Sequence, residues 1–274
     1  MVCHETFKDL AGEWLEPNKI VKNNNKYTTR NGKPVVVGRS EKMSKSKKNV
    51  INPSNIIEEY GADTARLFMM SDSPPEKDLQ WSADGIKSIW KYLNKIFFLI
   101  KNKNFKFLDI KLALDKDINK ELFRSIHSVI YNFTEDIKSY RFNSAVAKLR
   151  EYSNDLIKKD SQFTEIEFNY SWSTYIRLMY LFTPHFSEEI ASIGGLSGSL
   201  TKILWPKVDE KYLSKDNVKL VIQINGKKKQ LIEVGFDSEK EKVLQVIKAK
   251  SDILQNIEIK KTIFVKNKII NFVI

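Results

Sequence analysis

Residues 39–53 read RSEKMSKSKKNVINP and contain four lysines, Lys42, Lys45, Lys47 and Lys48. A loop that holds phosphate needs flexible ammonium groups, small hydroxyl donors and free backbone N–H groups. This stretch supplies all three, but it lacks the glycines of a P-loop, which argues against that mechanism. The residues alone therefore leave three interpretations open: a solvated surface turn, a nucleic-acid-binding patch or a loop that holds phosphate.

The lysine-rich segment is flanked by a predicted strand and two predicted helices. Residues 34–38, PVVVG, form a short apolar run that predicts a buried strand. After the lysines, Ser54 is the predicted N-cap of a helix over residues 55–60, and Gly61 is its predicted end. A second helix is expected over residues 62–70. The pattern thus places the lysines on a loop between a strand and a helix.

Residues 82–193 have the period of amphipathic helices. Apolar residues recur at i, i+3 and i+4 spacing, as in Ile86, Ile89 and Trp90, and this spacing lines one face of a helix. Asn143 is the predicted N-cap of a helix in the middle of the segment. We therefore expect a helical bundle in which the Trp and Phe side chains belong to the core.

Residues 217–274 have the pattern of a small α+β module. The dipeptide Asn225-Gly226 is a strong signal for a two-residue type I′ hairpin turn. The predicted elements are strands over 218–224 and 227–234, a helix over 238–250, and strands over 261–265 and 268–273. Twelve lysines and six acidic residues give this module a charge of +6, which is half of the +12 on the whole chain.

The composition of the 274 residues limits the possible functions. An excess of 46 Lys and Arg over 34 Asp and Glu favours a polyanionic partner, although a lysine-rich genome would produce the same excess. The single cysteine, Cys3, excludes an intrachain disulfide. His4, His127 and His185 lie far apart in sequence and match no metal-binding spacing, so no metal ligand is predicted.

The sequence also bears on the cellular location. No apolar stretch reaches the ~20 residues that a transmembrane helix needs. The first residues, MVCHE, have neither the basic start nor the apolar run of a signal peptide. We therefore expect a soluble, cytoplasmic protein without a membrane partner.

Several stretches resemble one family. The pentad KMSKS at 42–46 resembles the second motif of class I aminoacyl-tRNA synthetases, and residues 40–82 closely resemble leucyl-tRNA synthetases. The stretches MVCHETFKD, LFTPHFSEEI and ILWPKVD are similar to the catalytic and helical domains of that family. The stretches QINGKKKQLIEV and KKTIFVKNKIINFVI are similar to the C-terminal domain of its bacterial members.

This resemblance implies a multidomain α+β fold with three parts. Residues 1–80 would be the end of the class I nucleotide-binding catalytic domain, with the KMSKS loop and the stem-contact region. Residues 81–205 would be a helical, anticodon-binding-type bundle, and residues 217–274 a C-terminal α+β tRNA-binding domain. The family's HIGH-type motif and editing domain are missing from the sequence. We therefore expect a C-terminal portion that is inactive without an N-terminal catalytic half.

The resemblance also implies a chemistry, in which leucine is activated with ATP and transferred to tRNA(Leu). Lys45 and Lys42 are the expected catalytic cations, since the second pentad lysine of the family contacts ATP. Met43, Ser44 and Ser46 complete the expected ATP-binding segment. Mg²⁺ is expected to accompany ATP, but no carboxylate is identified as its ligand.

Further basic residues are expected to contact tRNA phosphates. They are Lys227, Lys228, Lys229, Lys260, Lys261 and Arg141. Many relatives carry arginine near position 229, and the lysine found here keeps the charge but loses the bidentate fork. For Arg141, a solvated helix face is an equally good interpretation.

Two alternative functions remain open from the sequence. One is a stand-alone, non-enzymatic tRNA-binding protein, for which KMSKS would be dispensable. The other is the C-terminal subunit of a naturally split synthetase. An exposed apolar face on residues 1–40 would favour the second alternative, because half of a nucleotide-binding sheet leaves an unpaired edge.

Overall fold

A computed structural model describes residues 1–23, 26–108, 118–213, 217–254 and 259–274. The chain forms two compact units, Met1–Val208 and Asp209–Ile274. Both units combine helices with sheets, which agrees with the predicted mixed α and β character.

The first unit contains six strands and seven α-helices among its described residues. The strands are β1 (Val2–Lys8), β2 (Trp14–Leu15), β3 (Ile20–Asn23), β4 (Lys26–Thr29), β5 (Val36–Lys42) and β6 (Leu79–Gln80). The helices are α1 (Pro53–Tyr60), α2 (Ala62–Ser71), α3 (Ala83–Lys101), α4 (Lys120–Lys138), α5 (Phe142–Lys159), α6 (Glu165–Met179) and α7 (Pro184–Ile193).

Strand β1 is the centre of the main sheet of this unit. It pairs antiparallel with β5 on one side, and with β2 and the parallel strand β6 on the other. The predicted buried strand over 34–38 is wrong in two respects, because β5 begins at Val36 and is exposed along most of its length. Among the described strands β5 pairs with β1 alone, so Val36 keeps 53% of its surface exposed.

Helices α1 and α2 form as the sequence predicts, but the first cap is a different residue. The side chain of Asn52, rather than Ser54, caps α1 by accepting the Ser54 N–H at 3.0 Å. Pro53 occupies the first turn, where its missing N–H costs nothing, and the residue before a proline is held in the extended conformation that a cap needs. Gly61 ends α1 with a φ of 85°, as predicted, because this backbone region favours glycine.

Helices α3 to α7 form the predicted bundle. The Ser82 hydroxyl accepts the Gly85 N–H and starts α3, and Trp172 and Tyr175 of α6 are fully buried, as expected for core aromatics. The prediction is wrong for Trp90, which keeps 40% of its surface exposed because it lies at the edge of the face that Ile89 and Leu93 bury. The predicted cap at Asn143 is wrong, because α5 already begins at Phe142 and has no side-chain cap.

Two side chains of α2 fix it against the bundle. Arg66 donates through Nε to the Phe182 carbonyl at 3.0 Å and through a terminal nitrogen to the Leu181 carbonyl at 3.1 Å. Asp63 accepts the Phe186 N–H at 2.6 Å at the start of α7. These bonds satisfy main-chain groups that the helix ends leave open, so the α1–α2 pair has a defined position on the bundle.

The described residues of the second unit form a four-stranded sheet with one α-helix. Its elements are β7 (Asn217–Ile224), β8 (Lys227–Gly235), α8 (Lys240–Lys250), β9 (Lys261–Val265) and β10 (Ile269–Val273). The strand order is β8-β7-β10-β9, with β10 parallel to β7. Val243 and Ile247 of α8 pack on a core that includes Ile222, Ile270 and Phe272. Asn225 and Gly226 both have positive φ, as the predicted type I′ turn requires.

A buried carboxylate joins α4 to the start of α5. Asp136 is 1% exposed and accepts bonds from Lys148 at 2.5 Å, Ser144 at 2.6 Å and Arg141 at 2.9 Å. Burial by itself would raise the pKa of Asp136, but these donors outweigh it and the pKa lies below its ordinary value of 3.8. The charged form therefore stabilises the folded state.

Substituting Asp136→Asn should reduce the free energy of unfolding at pH 7 by about 3 kcal/mol, since it leaves the two cations without their charged partner. A carboxyl whose pKa is lowered on folding stabilises the protein above its unfolded pKa and loses that contribution as pH falls through the folded pKa. The difference between the two proteins should thus shrink below about pH 4. Urea titrations of both proteins at pH 7 and at pH 3 measure this difference in the free energy of unfolding. An equal difference at both pH values would show that the charge of Asp136 does not stabilise the folded state.

Candidate functional site

The KMSKS segment lies where β5 ends and turns back toward α1. Lys42 is the last residue of the strand, so the loop begins at Met43. The Lys48 N–H donates to the Lys45 carbonyl at 3.2 Å and closes a tight turn. Lys48 has a φ of 52°, a region that non-glycine residues rarely occupy. The surrounding contacts must therefore hold this turn in place.

Asn49 supplies those contacts from a fully buried position. Its Oδ1 accepts the Ser44 N–H at 2.8 Å, and its Nδ2 donates to the carbonyls of His4 and Glu41 at 3.3 and 3.2 Å. One side chain thus joins the loop, the end of β5 and the central strand β1. The sequence did not predict this role, because an asparagine that follows a run of lysines has the pattern of an exposed loop.

The lysines of the segment are in different environments. Lys47 forms an ion pair with Glu41, and its hydrogen bond lowers the pKa of that carboxyl. Lys42 and Lys45 are exposed and make no ion pair with any described residue. The hydroxyls of Ser44 and Ser46 lie 2.7 Å apart. Free ammonium groups beside small hydroxyls are what an anionic ligand requires.

A cleft of about 660 Å³ lies beside this loop. Its walls come from β1, β3, β4, α1 and α3, and both Lys45 and Lys48 line it, whereas Lys42 does not. The volume is in the range of small-molecule sites. The loop therefore presents Lys45, one of the two predicted catalytic lysines, to this cleft.

His4 also lines this cleft. Burial lowers its pKa below the ordinary 6.5, and its Nδ1 has no hydrogen-bond partner within the described chain. Burial therefore favours the neutral form of this imidazole. The sequence gave no reason to place it in a site, since its spacing matches no motif.

The predicted tRNA-binding lysines of the second unit converge at one end of its sheet. Lys227 begins β8 opposite Ile224, and Lys261 begins β9 opposite Val273. Because β7 and β10 run parallel and end together, Lys227, Lys228, Lys260 and Lys261 share that end across roughly 14 Å of sheet width. Lys229 is the extra residue of a β-bulge and has no partner across the ladder.

Arg141 is less available to a ligand than these lysines, because its guanidinium already has a partner. Two of its guanidinium nitrogens contact Asp136, at 2.9 and 2.8 Å, while the side chain stays partly exposed. The contact to Asp136 therefore uses part of the fork that a phosphate would need.

The part of the chain that the structure describes contains no group of three His, Cys, Asp or Glu side chains that could hold a metal ion. None of its helices combines the length and the apolar character needed to cross a membrane.

Two protein families match parts of the chain. Residues 119–245 match the anticodon-binding domain of tRNA ligase, and residues 32–82 match tRNA synthetases class I (I, L, M and V). The second match contains the KMSKS loop, Asn49 and helices α1 and α2.

Curated relatives align with the whole chain. A leucine–tRNA ligase of Orientia tsutsugamushi (strain Boryong) is 41% identical over 282 residues and covers 100% of this chain. Those of Rickettsia canadensis (strain McKiel) and Rhodospirillum rubrum are 37% and 36% identical, also over 100% of this chain. The chain spans 33% of the length of each of these relatives.

A solved structure has a similar fold. It is the crystal structure of a ternary complex of Agrobacterium radiobacter K84 agnB2 LeuRS with tRNA and LeuAMS. The match has a TM-score of 0.71 and 26% identity, and it covers 85% of this chain and 30% of that one.

Substituting Asn49→Ala should release the loop, because Ser44 and two carbonyls lose their partner at once. We expect a loss of about 2 kcal/mol of stability and faster amide exchange in residues 39–53. Hydrogen exchange followed by mass spectrometry measures the exchange of residues 39–53, and a peptide from α3 serves as the internal reference.

Asn55→Ala is the matched control, since Asn55 is exposed and none of the described contacts involves its side chain. Asn49→Asp should give an intermediate result, because it keeps the acceptor for Ser44 but loses the Nδ2 donor. Unchanged exchange of residues 39–53 in Asn49→Ala would show that the loop does not depend on this amide.

Proposed function

Because this chain is homologous over its whole length to leucine–tRNA ligases, we propose that it belongs to an enzyme that activates leucine with ATP and transfers it to tRNA(Leu). The chain spans about a third of those relatives, so the activity is proposed for the larger enzyme. The isolated chain is expected to be inactive, since the HIGH-type motif and the editing domain are missing from its sequence.

The observation that carries the proposal is the loop held by Asn49, which presents Lys45 to a cleft of nucleotide size. In the proposed reaction the leucine carboxylate attacks the α-phosphate of ATP, and pyrophosphate leaves with growing negative charge. Lys45 would stabilise that charge, with Lys42 as a second cation. The site needs no protein base, because it works by positioning and electrostatics.

The remaining residues of the pentad have supporting roles in this proposal. Ser44 and Ser46 would donate to phosphate oxygens, and Met43 would connect β5 to the turn. Mg²⁺ would arrive bound to the phosphates of ATP, since the described residues offer no cluster of carboxylates to hold it.

For tRNA binding, we propose the division of the chain that the resemblance implies. Residues 1–80 would supply the ATP loop and the stem-contact region, 81–205 the helical bundle, and 217–274 a basic surface. The convergence of Lys227, Lys228, Lys260 and Lys261 at one end of the sheet supports a phosphate-binding role there.

The exposed edge of the main sheet favours a partner segment for the first unit. Strand β5 has no neighbour on its outer side among the described strands, and Val36 and Val37 are exposed. An unpaired edge of this kind is normally covered. The missing part of the catalytic domain, as one chain or as a separate subunit, is the proposed cover.

A chimera tests the catalytic proposal. Residues 1–274 would replace the matching third of the Orientia tsutsugamushi relative, and leucine-dependent pyrophosphate exchange would be measured. We expect Lys45→Ala in the chimera to lower kcat about 10²- to 10³-fold, as loss of a charge aimed at a transition state does. Lys33→Ala, an exposed lysine outside the cleft, should leave kcat unchanged.

A folded, unsubstituted chimera that neither activates leucine nor charges tRNA(Leu) would contradict the proposed function. If Lys45→Ala retained full exchange activity, the assignment of Lys45 would be wrong while the family function would stand.

Binding of tRNA by the isolated chain is a separate test. Titrations at several salt concentrations should show tighter binding of tRNA(Leu) than of a tRNA with a short variable arm, and the preference should persist at physiological salt. Equal binding that disappears with salt would mean that the chain contributes charge alone and that specificity lies elsewhere.

A further inference from the structure

The sheet of the second unit has aliphatic side chains on both of its faces. Successive residues of a strand point to opposite faces, and Ile222, Ile270 and Phe272 point to the inner face, which packs on α8. The residues that alternate with them lie on the outer face. A sheet with one face on a core commonly has polar side chains on the other face, and this sheet departs from that pattern. The aliphatic residues of the outer face are Val221, Leu231, Ile263, Val265, Ile269 and Val273.

Four of these side chains form a continuous row across the sheet. Leu231 lies opposite Val221, which lies opposite Ile269. Ile269 in turn lies opposite Val265. Leu231 and Val265, at the two ends of the row, each keep 47% of their surface exposed. Strand propensity does not explain the row, because threonine has the same preference for strands without the apolar surface. The row is therefore an apolar surface that the core of the unit does not account for.

The dimensions of the outer face limit what could cover it. The row crosses all four strands, a width of about 14 Å, and Val273 lies about 13 Å along β10 from Ile269. The area of about 200 Å² is far below the ~800 Å² that each partner of a stable dimer buries. It matches one α-helix of about three turns, with a diameter of ~10 Å. Helix α8, with 11 residues, covers the inner face in this way.

The charges around the row favour an acidic partner. Lys219 of β7 and Lys261 of β9 both occupy positions of the outer face, and both are exposed. Glu233 is the one acidic residue in the four described strands. Residues 217–274 carry a charge of +6. Two copies of this unit would repel each other, whereas a segment with acidic side chains would be attracted.

We propose that the outer face binds an amphipathic helix of a partner protein, a helix with one aliphatic stripe and acidic side chains along its edges. The stripe packs on the row from Leu231 to Val265, and the acidic edges face Lys219 and Lys261. The sheet then has a helix on each apolar face, as layered α/β folds do. This goes beyond the proposed function, which uses the lysines at one end of the sheet and leaves its outer face without a role.

An RNA strand fits this face less well than a helix does. Bases bind to single-strand sites by stacking on aromatic rings, and the row from Leu231 to Val265 contains none. An RNA on the lysines would leave the aliphatic side chains exposed to water. The row therefore favours a protein partner over a nucleic acid.

Two designed peptides test the proposal. The probe is a fluorescent helix of about 15 residues with leucine at positions i, i+3, i+4 and i+7 and glutamate along both edges. In the control peptide, lysine replaces glutamate. We expect saturable binding of the acidic peptide to the full chain at physiological salt, measured by fluorescence anisotropy, and at least tenfold weaker binding of the basic peptide. Failure of the acidic peptide to bind, or equal binding of both peptides, would overturn the proposal.

A triple substitution tests whether the peptide binds to the outer face. Leu231→Gln, Ile263→Thr and Val265→Thr remove the apolar contacts, and threonine keeps the strand propensity. We expect at least a tenfold loss of affinity for the acidic peptide. Circular dichroism would establish that the variant keeps its secondary structure, and the comparison of the two peptides does not depend on any substitution.

The matched control makes the same kinds of change at exposed positions of the first unit. It combines Leu204→Gln, Val36→Thr and Val37→Thr, and it should lose less than twofold in affinity. An equal loss in both triple variants would show that the peptide binds elsewhere, which contradicts the proposal.

Two further measurements distinguish other occupants of the outer face. If the outer-face triple variant lost tenfold in affinity for tRNA(Leu), the face would bind RNA and the proposal would be wrong. If the unsubstituted chain sedimented as a dimer and the triple variant as a monomer, a second copy would be the occupant. Neither result affects the proposed function, which is tested by leucine activation in the chimera.

Discussion

The side-chain amide of Asn49 is the contact on which the arrangement of the KMSKS loop depends. It lies out of solvent, where an amide without partners would cost about 1–3 kcal/mol, and it uses both its acceptor and its donor. The loop can therefore carry several like charges and a residue with positive φ without losing its shape. Lys42 and Lys45 stay available to a ligand because the contacts of Asn49 restrain the backbone of the loop and not these side chains.

The second constraint is the docking of α2 on the bundle. Asp63 and Arg66 bind main-chain groups at the two ends of the connection between α6 and α7. Since α1 and α2 also follow directly from the loop, the cleft beside Lys45 and the helical bundle belong to one compact unit. A ligand that touches both would meet them at a constant separation.

The sequence predicts those parts of the fold in which local chemistry decides the structure. Asn225-Gly226 can form a type I′ turn at low cost, and the apolar period of α3 permits only one helical face inward. The turn and helix α3 formed as expected. Gly61 ended α1 as expected because glycine adopts a positive φ at low cost.

The sequence does not predict burial or contacts that depend on residues far away in the chain. Val36 and Val37 have the pattern of a buried strand, yet burial needs a layer that the described chain does not place on β5. The site shows the same limit. The motif identified the lysines, but the roles of Asn49 and His4 and the convergence of Lys227 with Lys261 follow from pairing between strands far apart in sequence.

The position of β10 in its sheet has a consequence for how the second unit is made. This strand lies between β7 and β9, and its Ile270 and Phe272 fill the core, although it is synthesised last of the four. At ~5–20 residues per second, the ribosome needs several seconds to go from the end of β7 to the end of β10. During that time the β7–β8 hairpin and α8 have no central strand to pack with, so the unit folds only once translation has reached residue 273.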